Sequence, residues 1–162
     1  MRSERSRGES FKVFSRDNVG PTAFVVNYSA LRGVSNMRDI IHLRDFITYI
    51  CNYLIGYMPV WWGRKLFYKA LGARLDANVK IDMGAYLMAP RRLAIGKFTH
   101  CNRGCTFDAR GGLTIGSCVS ISHRVVLMTG SHDINSVNFQ GRFKPIVIDD
   151  YVWIGVGAIV LQ

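Results

Sequence analysis

Leu93–Leu127 reads LAIGKFTHCNRGCTFDARGGLTIGSCVSISHRVVL, and it counts in sixes. Ile95, Cys101 and Phe107 are six residues apart, and so are Ile115, Ile121 and Leu127. The two triplets are offset by 20 residues (115 − 95). The count runs outward both ways, to Leu75, Ile81 and Leu87 before this stretch and to Ile148, Ile154 and Val160 after it. A second series sits two residues earlier: Ala73, Val79, Ala85; Leu93, Thr99, Cys105; Leu113, Val119, Val125; Ile146, Val152, Ala158. Small or β-branched residues fill it. Two registers held through four triplets are an internal repeat, and such a repeat dictates the architecture.

Three sixes make one coil of a triangular prism, each six a short strand and each junction a corner. The strand period of two sends both series to the inner face. No coil buries that face alone; stacking parallel strands above and below does. The expected fold is therefore an all-β solenoid, a parallel β-helix. Short sandwich strands are the disfavoured alternative, because they do not keep a six-residue phase. Gly96, Gly116 and Gly155 follow inward residues and are expected to supply the unusual backbone angles of the corners, with Asp82 and Asp149 in the same slot. Two extra residues per coil fall within Met88–Arg92 and Asp108–Gly112, on one edge. The last interval is 33 residues (148 − 115), so about 129–145 must leave the prism as a loop. Long excursions from a regular scaffold tend to carry function.

The expected organisation is a flexible basic segment over 1–36, a helical cap over 37–72 and the prism over 73–162. Met37–Leu71 is apolar and aromatic with helical spacing, and Pro59 is expected to split it into two helices. Covering the open end of a repeat fold is one use for such a segment. A second stays open. Phe46–Gly63 carries no charge, and Tyr53, Tyr57, Trp61 and Trp62 stand beside Arg64, Lys65 and Lys69. Residues 46–69 could thus make a peripheral membrane contact, although Asn52, Gly56 and Pro59 make a poor spanning helix.

Lys and Arg number 21 against 11 Asp and Glu, a net charge of +10. A basic balance favours phosphate-bearing partners. No nucleic-acid-binding module is recognisable, so nucleic acid is not expected as a partner. The four cysteines form no C-x-x-C pair, and Cys101 and Cys105 fall on inward phases as small buried hydrophobes. With no secretory signal in the sequence, the expected location is the cytoplasm, with membrane association open.

The insertion contains Thr129-Gly130-Ser131-His132-Asp133. His132 is the candidate catalytic residue: an imidazole can take a proton from a hydroxyl, which is a poor nucleophile until it loses one. Asp133 could orient His132, although adjacent strand residues point apart. His100 and His123 lie on different phases from each other and from His132. They form no stacked ligand set, and no metal is expected. Trp153, one residue before inward Ile154, is expected to face outward.

These features together resemble the hexapeptide-repeat acyltransferases, which fold as a left-handed parallel β-helix. The resemblance rests on the Ile-Gly hexads, the Gly-Ser-His-Asp loop and Tyr151-Val152-Trp153-Ile154-Gly155, and it covers about Leu75–Gln162. Asn102-Arg103-Gly104-Cys105 and Gly111-Gly112-Leu113-Thr114-Ile115-Gly116 are similar to the branch that O-acetylates sugars of capsules, exopolysaccharides and related glycans. The resemblance implies that His132 is the general base and acetyl-CoA the cosubstrate, attacked directly with no covalent enzyme intermediate. It implies that Asn102 and Asp108 lie near the acceptor. Gly155, Val156 and Gly157 would lie near the donor, with a backbone N–H there facing the oxyanion. It also implies a homotrimer with sites between prisms, in which a neighbouring subunit or the pantetheine arm covers Trp153. Arg142 and Lys144 would meet CoA phosphates or the acceptor. The chain stops at Leu161-Gln162, part-way through a six, where the resemblance implies further coils; a truncated prism is the expectation. Acetylation of an amino sugar or a small-molecule hydroxyl, a non-catalytic scaffold, and a metal enzyme on the same fold are the alternatives.

Overall fold

The structure, a computed structural model, describes residues 37–162; the basic segment expected over 1–36 lies outside them. Every rung of the prism pairs in parallel with the rung twenty or thirty-three residues away. Sheet 1 contains β1 (Arg74–Leu75), β4 (Leu93–Ile95), β7 (Leu113–Ile115) and β12 (Ile146–Ile148) in that spatial order. Sheet 2 stacks β2 (Lys80–Ile81), β5 (His100–Cys101), β8 (Ser120–Ile121) and β13 (Trp153–Ile154). Sheet 3 stacks β3 (Tyr86–Met88), β6 (Thr106–Asp108), β9 (Val126–Met128) and β14 (Ile159–Leu161). Inward residues pair with inward residues, as in Leu75↔Ile95 and Ile148↔Ile115. The fold is the parallel β-helix expected from the count, with the left hand that the resemblance implied.

Both inward series form one core. From Ala73 through Ile148 every member is buried, and Val152, Ile154, Ala158 and Val160 pack against them half-buried. Thr99 is the polar member. Its hydroxyl donates to Gly116 O at 2.7 Å and accepts from Val119 N–H at 3.2 Å, so its burial leaves nothing unpaired.

The corners are made differently from the expectation. Left-handed backbone falls three residues after the first and second inward positions of each coil, at Asn78, Phe98, Cys118 and Tyr151 on one edge and at Gly84, Gly104, Arg124 and Gly157 on the next. None of Gly96, Gly116, Gly155, Asp82 and Asp149 has a positive φ. Glycine is needed at Gly96 and Gly116 for a different reason. A Cβ on Gly96 would lie 2.7 Å from the carbonyl carbon of Gly116, and one on Gly116 the same distance from that of Asp149. Successive coils therefore touch backbone to backbone, which a methyl group would wedge apart.

The first coil has no rung beneath it, and side chains of the N-terminal helices replace one. Helix α1 (Met37–Tyr49) continues through a wide turn at Ile50–Leu54, and α2 (Trp61–Ala70) follows Pro59. Asn52 is buried, accepts from Leu87 N–H at 2.7 Å and donates to Leu87 O at 3.1 Å. Its amide thus does the work of a neighbouring strand on sheet 3. On sheet 2, Arg64 Nη1 donates to Ile81 O at 2.9 Å and Trp61 Nε1 to Val79 O at 3.0 Å. Lys65 Nζ reaches Asp76 O at 2.8 Å beside sheet 1. Satisfying a strand edge in this way removes both a desolvation cost and a template for aggregation. Replacing Asn52 by Ala leaves the buried N–H and C=O of Leu87 unpaired and should cost about 2–3 kcal/mol. Urea denaturation measures it; a loss below about 0.5 kcal/mol would show that these bonds do not hold the cap.

Candidate active site

The insertion is a β-hairpin standing on the edge between sheets 3 and 1. Strand β10 (Gly130–His132) pairs antiparallel with β11 (Gly141–Phe143), matching Gly130 with Phe143, Ser131 with Arg142 and His132 with Gly141. Its root is held by a buried carboxylate. Asp108, at the end of β6, is fully buried. Its Oδ1 accepts from Arg110 Nε at 2.9 Å and Arg110 N–H at 3.0 Å; its Oδ2 accepts from Arg110 Nη2 and Gly130 N–H, both at 3.0 Å. Burial pushes the carboxyl upward, but these donors and the Arg110 charge outweigh it and hold the pKa below the usual carboxylate value. Position 130 must be Gly, because a Cβ there would meet Arg110 Nη2 at 2.8 Å and Asp108 Oδ2 at 3.0 Å. Thr129, buried, accepts from Gly111 N–H at 2.8 Å, and the Arg110 guanidinium lies 4.9 Å from the centre of the Phe143 ring.

His132 projects from this hairpin into solvent. Its Nδ1 lies 2.9 Å from Phe139 O. A carbonyl oxygen can only accept, so Nδ1 carries the proton and the neutral ring presents its lone pair at Nε2. The Phe139 ring stacks on the imidazole, centroids 4.5 Å apart and planes 6° from parallel. One residue thus sets both the tautomer and the ring plane. Phe139 does so from a left-handed backbone, φ 47°, where a non-glycine residue is held under strain of about 1–3 kcal/mol. Arg110, Gly130, Ser131, His132, Gly141 and Phe143 line a shallow pocket of about 160 Å³.

The other candidates are dispersed. Asp133 turns away from His132: it accepts from Asn135 N–H at 3.0 Å and meets Arg142 at 3.6 Å. Asn102 donates to Ile121 O at 2.9 Å, part of the corner ladder. Lys144 is exposed, its N–H bonded to Thr129 O at 3.1 Å. Trp153 is 75% exposed on the outer side of sheet 2, with its Nε1 donating to Ser122 Oγ at 3.1 Å. Gly155, Val156 and Gly157 form the next corner, between sheets 2 and 3, and Gly157 N–H is taken up by His123 O at 2.9 Å. Trp153 and that corner therefore lie across the prism from the His132 hairpin. Cys101 and Cys105 are buried, and burial pushes both thiols upward; neither is placed to be a nucleophile. No group of three or more His, Cys, Asp or Glu that could hold a metal ion occurs among the described residues. Sequence reasoning missed Phe139, Arg110 and Phe143. Only Arg110 left a trace, as an opposite charge two residues beyond Asp108.

Hexapeptide coils with a histidine hairpin on one edge define the class of fold, and the chain is similar to proteins named as acetyltransferases. Over 97 residues it is 30% identical to WcaF of Escherichia coli K12, provisionally named a colanic acid biosynthesis acetyltransferase; the match covers 60% of this chain and 53% of that protein. A Shigella flexneri protein of the same name matches equally. A provisionally named acetyltransferase of Schizosaccharomyces pombe is 42% identical over 69 residues, 41% of this chain and 33% of its own. The chain thus spans about half the length of the bacterial relatives it matches, and a third of the yeast one. The fold is shared with the crystal structure of a hexapeptide-repeat-containing acetyltransferase of Vibrio cholerae, at a TM-score of 0.58 and 22% identity over 83% of this chain and 77% of that one. No family model matches the sequence.

Asp108→Asn removes the charge that holds the hairpin root. Faster amide exchange is expected at Gly130–His132 and Gly141–Phe143, with the prism unchanged. The pH dependence has a definite sign. The folded pKa of Asp108 lies below the unfolded one, so its stabilisation is fully present above the ordinary carboxylate range and disappears as pH falls through the depressed folded value. The Asn variant should lose that acid transition. Equal hairpin protection in both proteins would refute the clamp.

Proposed function

We propose that this chain is the core of an acetyl-CoA-dependent O-acetyltransferase acting on a hydroxyl of a saccharide, with His132 as general base. The observation that carries the reading is the Nδ1 contact with Phe139 O, which turns an unprotonated Nε2 outward on a hairpin whose root is tied to Asp108. The related proteins support the reaction class, since they are named as acetyltransferases and one is named for colanic acid biosynthesis. In this reading Nε2 takes the proton of the acceptor hydroxyl as its oxygen attacks the thioester carbonyl carbon. The tetrahedral adduct collapses, the C–S bond breaks, and the imidazolium returns the proton to the departing CoA sulfur. With the N–H of Gly157 taken up by His123 O of the neighbouring coil, the oxyanion donor in this reading is the N–H of Gly155 or Val156. Location in the cytoplasm fits a cosubstrate made there; among the described residues no helix is long and apolar enough to cross a membrane.

Trp153 and Gly155–Gly157 are the donor-side residues in this reading, and Arg142 and Lys144 are available to the CoA phosphates or to the acceptor. Because Trp153 and Gly155–Gly157 lie across the prism from His132, in this reading one site unites them between chains. A homotrimer with three shared sites meets that requirement. His132→Ala should lower kcat for thiol release from acetyl-CoA, in the presence of a saccharide acceptor, by roughly 10²–10⁴-fold. Unchanged turnover would remove His132 as the base. The shared site has its own check: His132→Ala and Trp153→Ala chains, each impaired alone, should regain activity when co-assembled. Mixed assemblies as inactive as their parents would place the site within one chain.

A further inference from the structure

We propose that the acceptor is a negatively charged glycan, its chain lying along the prism edge that carries Arg91, Arg92 and Arg110 and leads to His132. The inference rests on the transferase reading above and adds the substrate class. Each departure from the six-residue count falls on the edge between sheets 3 and 1, and each brings exposed cations there. Arg91 and Arg92 stand in the single turn Pro90–Arg92, Arg110 follows β6, and Arg142 and Lys144 come with the hairpin. Five cations on this edge stand against two carboxylates, Asp108 and Asp133. The edge between sheets 1 and 2 has the opposite balance, Lys97 against Asp76, Asp149 and Asp150. Between sheets 2 and 3, Arg103 and Arg124 face Asp82. The basic excess is thus concentrated beside the candidate base.

The column is also continuous. Arg92 Nη1 donates to Arg110 O at 2.5 Å, and Arg110 lines the pocket that holds His132. Arg110 spends Nε and Nη2 on Asp108, while its Nη1 has no hydrogen-bond partner among the described residues and can donate to a ligand. Parallel rungs lie about 4.8 Å apart, so Arg91 and Arg92 sit about 10 Å down the axis from the hairpin root. A carboxylate or phosphate that far from the reacting hydroxyl would meet the guanidinium fork, which binds either group bidentately. The direction of the column separates it from the donor. It descends from His132 toward the helical end, whereas Trp153–Gly157 belong to the last coil. Arg91 and Arg92 lie in the turn that follows β3, two rungs from the hairpin that carries Arg142 and Lys144.

The protein in its natural length tests this as wild type, Arg91→Ala/Arg92→Ala, Arg91→Lys/Arg92→Lys and the control pair Lys97→Ala/Arg103→Ala. Each is applied to a glycan array with uronic-acid, phosphorylated and neutral members, and folding is checked by circular dichroism. Wild type should hold acidic glycans about tenfold or more over neutral ones, the scale of charge-assisted hydrogen bonds. The Ala pair should lose the preference, the Lys pair keep part of it, and the control pair keep it all. Retention confined to uronic acids assigns a carboxylate, and retention confined to phosphorylated members a phosphate. Equal retention of neutral glycans, no retention of any, or equal loss in the control pair would overturn the proposal. So would weaker acetyl-CoA binding by the Ala pair with its glycan binding intact. Acetyl transfer by the wild type is followed in parallel: transfer without charge preference removes this inference and leaves the transferase reading standing.

Discussion

Parallel rungs with no hydrogen bonds inside a rung must find all their partners in the rungs above and below. That constraint governs the molecule. It forces every coil to present its backbone at the same height and phase, hence the six-residue count. It excludes a Cβ where Gly96 and Gly116 pass under the next coil. It also leaves an unpaired layer at the first coil, which Asn52, Arg64 and Trp61 close with side-chain donors and acceptors. A scaffold held this way cannot absorb an insertion within a strand. Extra residues can leave only at a corner, and the longest does so as a hairpin.

The same rigidity positions the chemistry. Gly130 ties the hairpin root to Asp108, whose carboxylate is buried and bound to Arg110. From that fixed root the strand carries His132 outward, and the returning segment brings Phe139 O to Nδ1. Each step restricts the next, from rung to corner, corner to clamp and clamp to imidazole. Orientation fixed before substrate arrives need not be bought at the moment of reaction.

The inward residues were legible because burial repeats with the period, and each hydrophobic side chain reports its own phase. His132 was legible for a related reason, as the chemically able side chain in the one long break in that period. The corner angles were misassigned. Gly after an inward residue reads as conformational freedom, yet at Gly96 and Gly116 the need is for space between coils, a relation twenty or more residues apart that no local motif displays. Non-glycine residues then take the left-handed positions: Phe98, Cys118, Arg124 and Tyr151. Phe139 was invisible for a similar reason. Its function lies in a main-chain oxygen, which every residue has, and only the hairpin register brings that oxygen to the histidine. Arg110 showed only as a nearby charge; its bonds to a buried Asp108 depend on the corner between β6 and β7.

The position of the proton on His132 tests this arrangement most directly. Nitrogen-15 NMR of the imidazole, recorded at a pH where the ring is neutral, distinguishes a protonated Nδ1 from a protonated Nε2. The geometry predicts the Nδ1–H form, with Nε2 showing the shift of an unprotonated nitrogen and the Nδ1 proton slowed in exchange by Phe139 O. A ring found mainly as the Nε2–H form, the preference of free histidine in water, would contradict it.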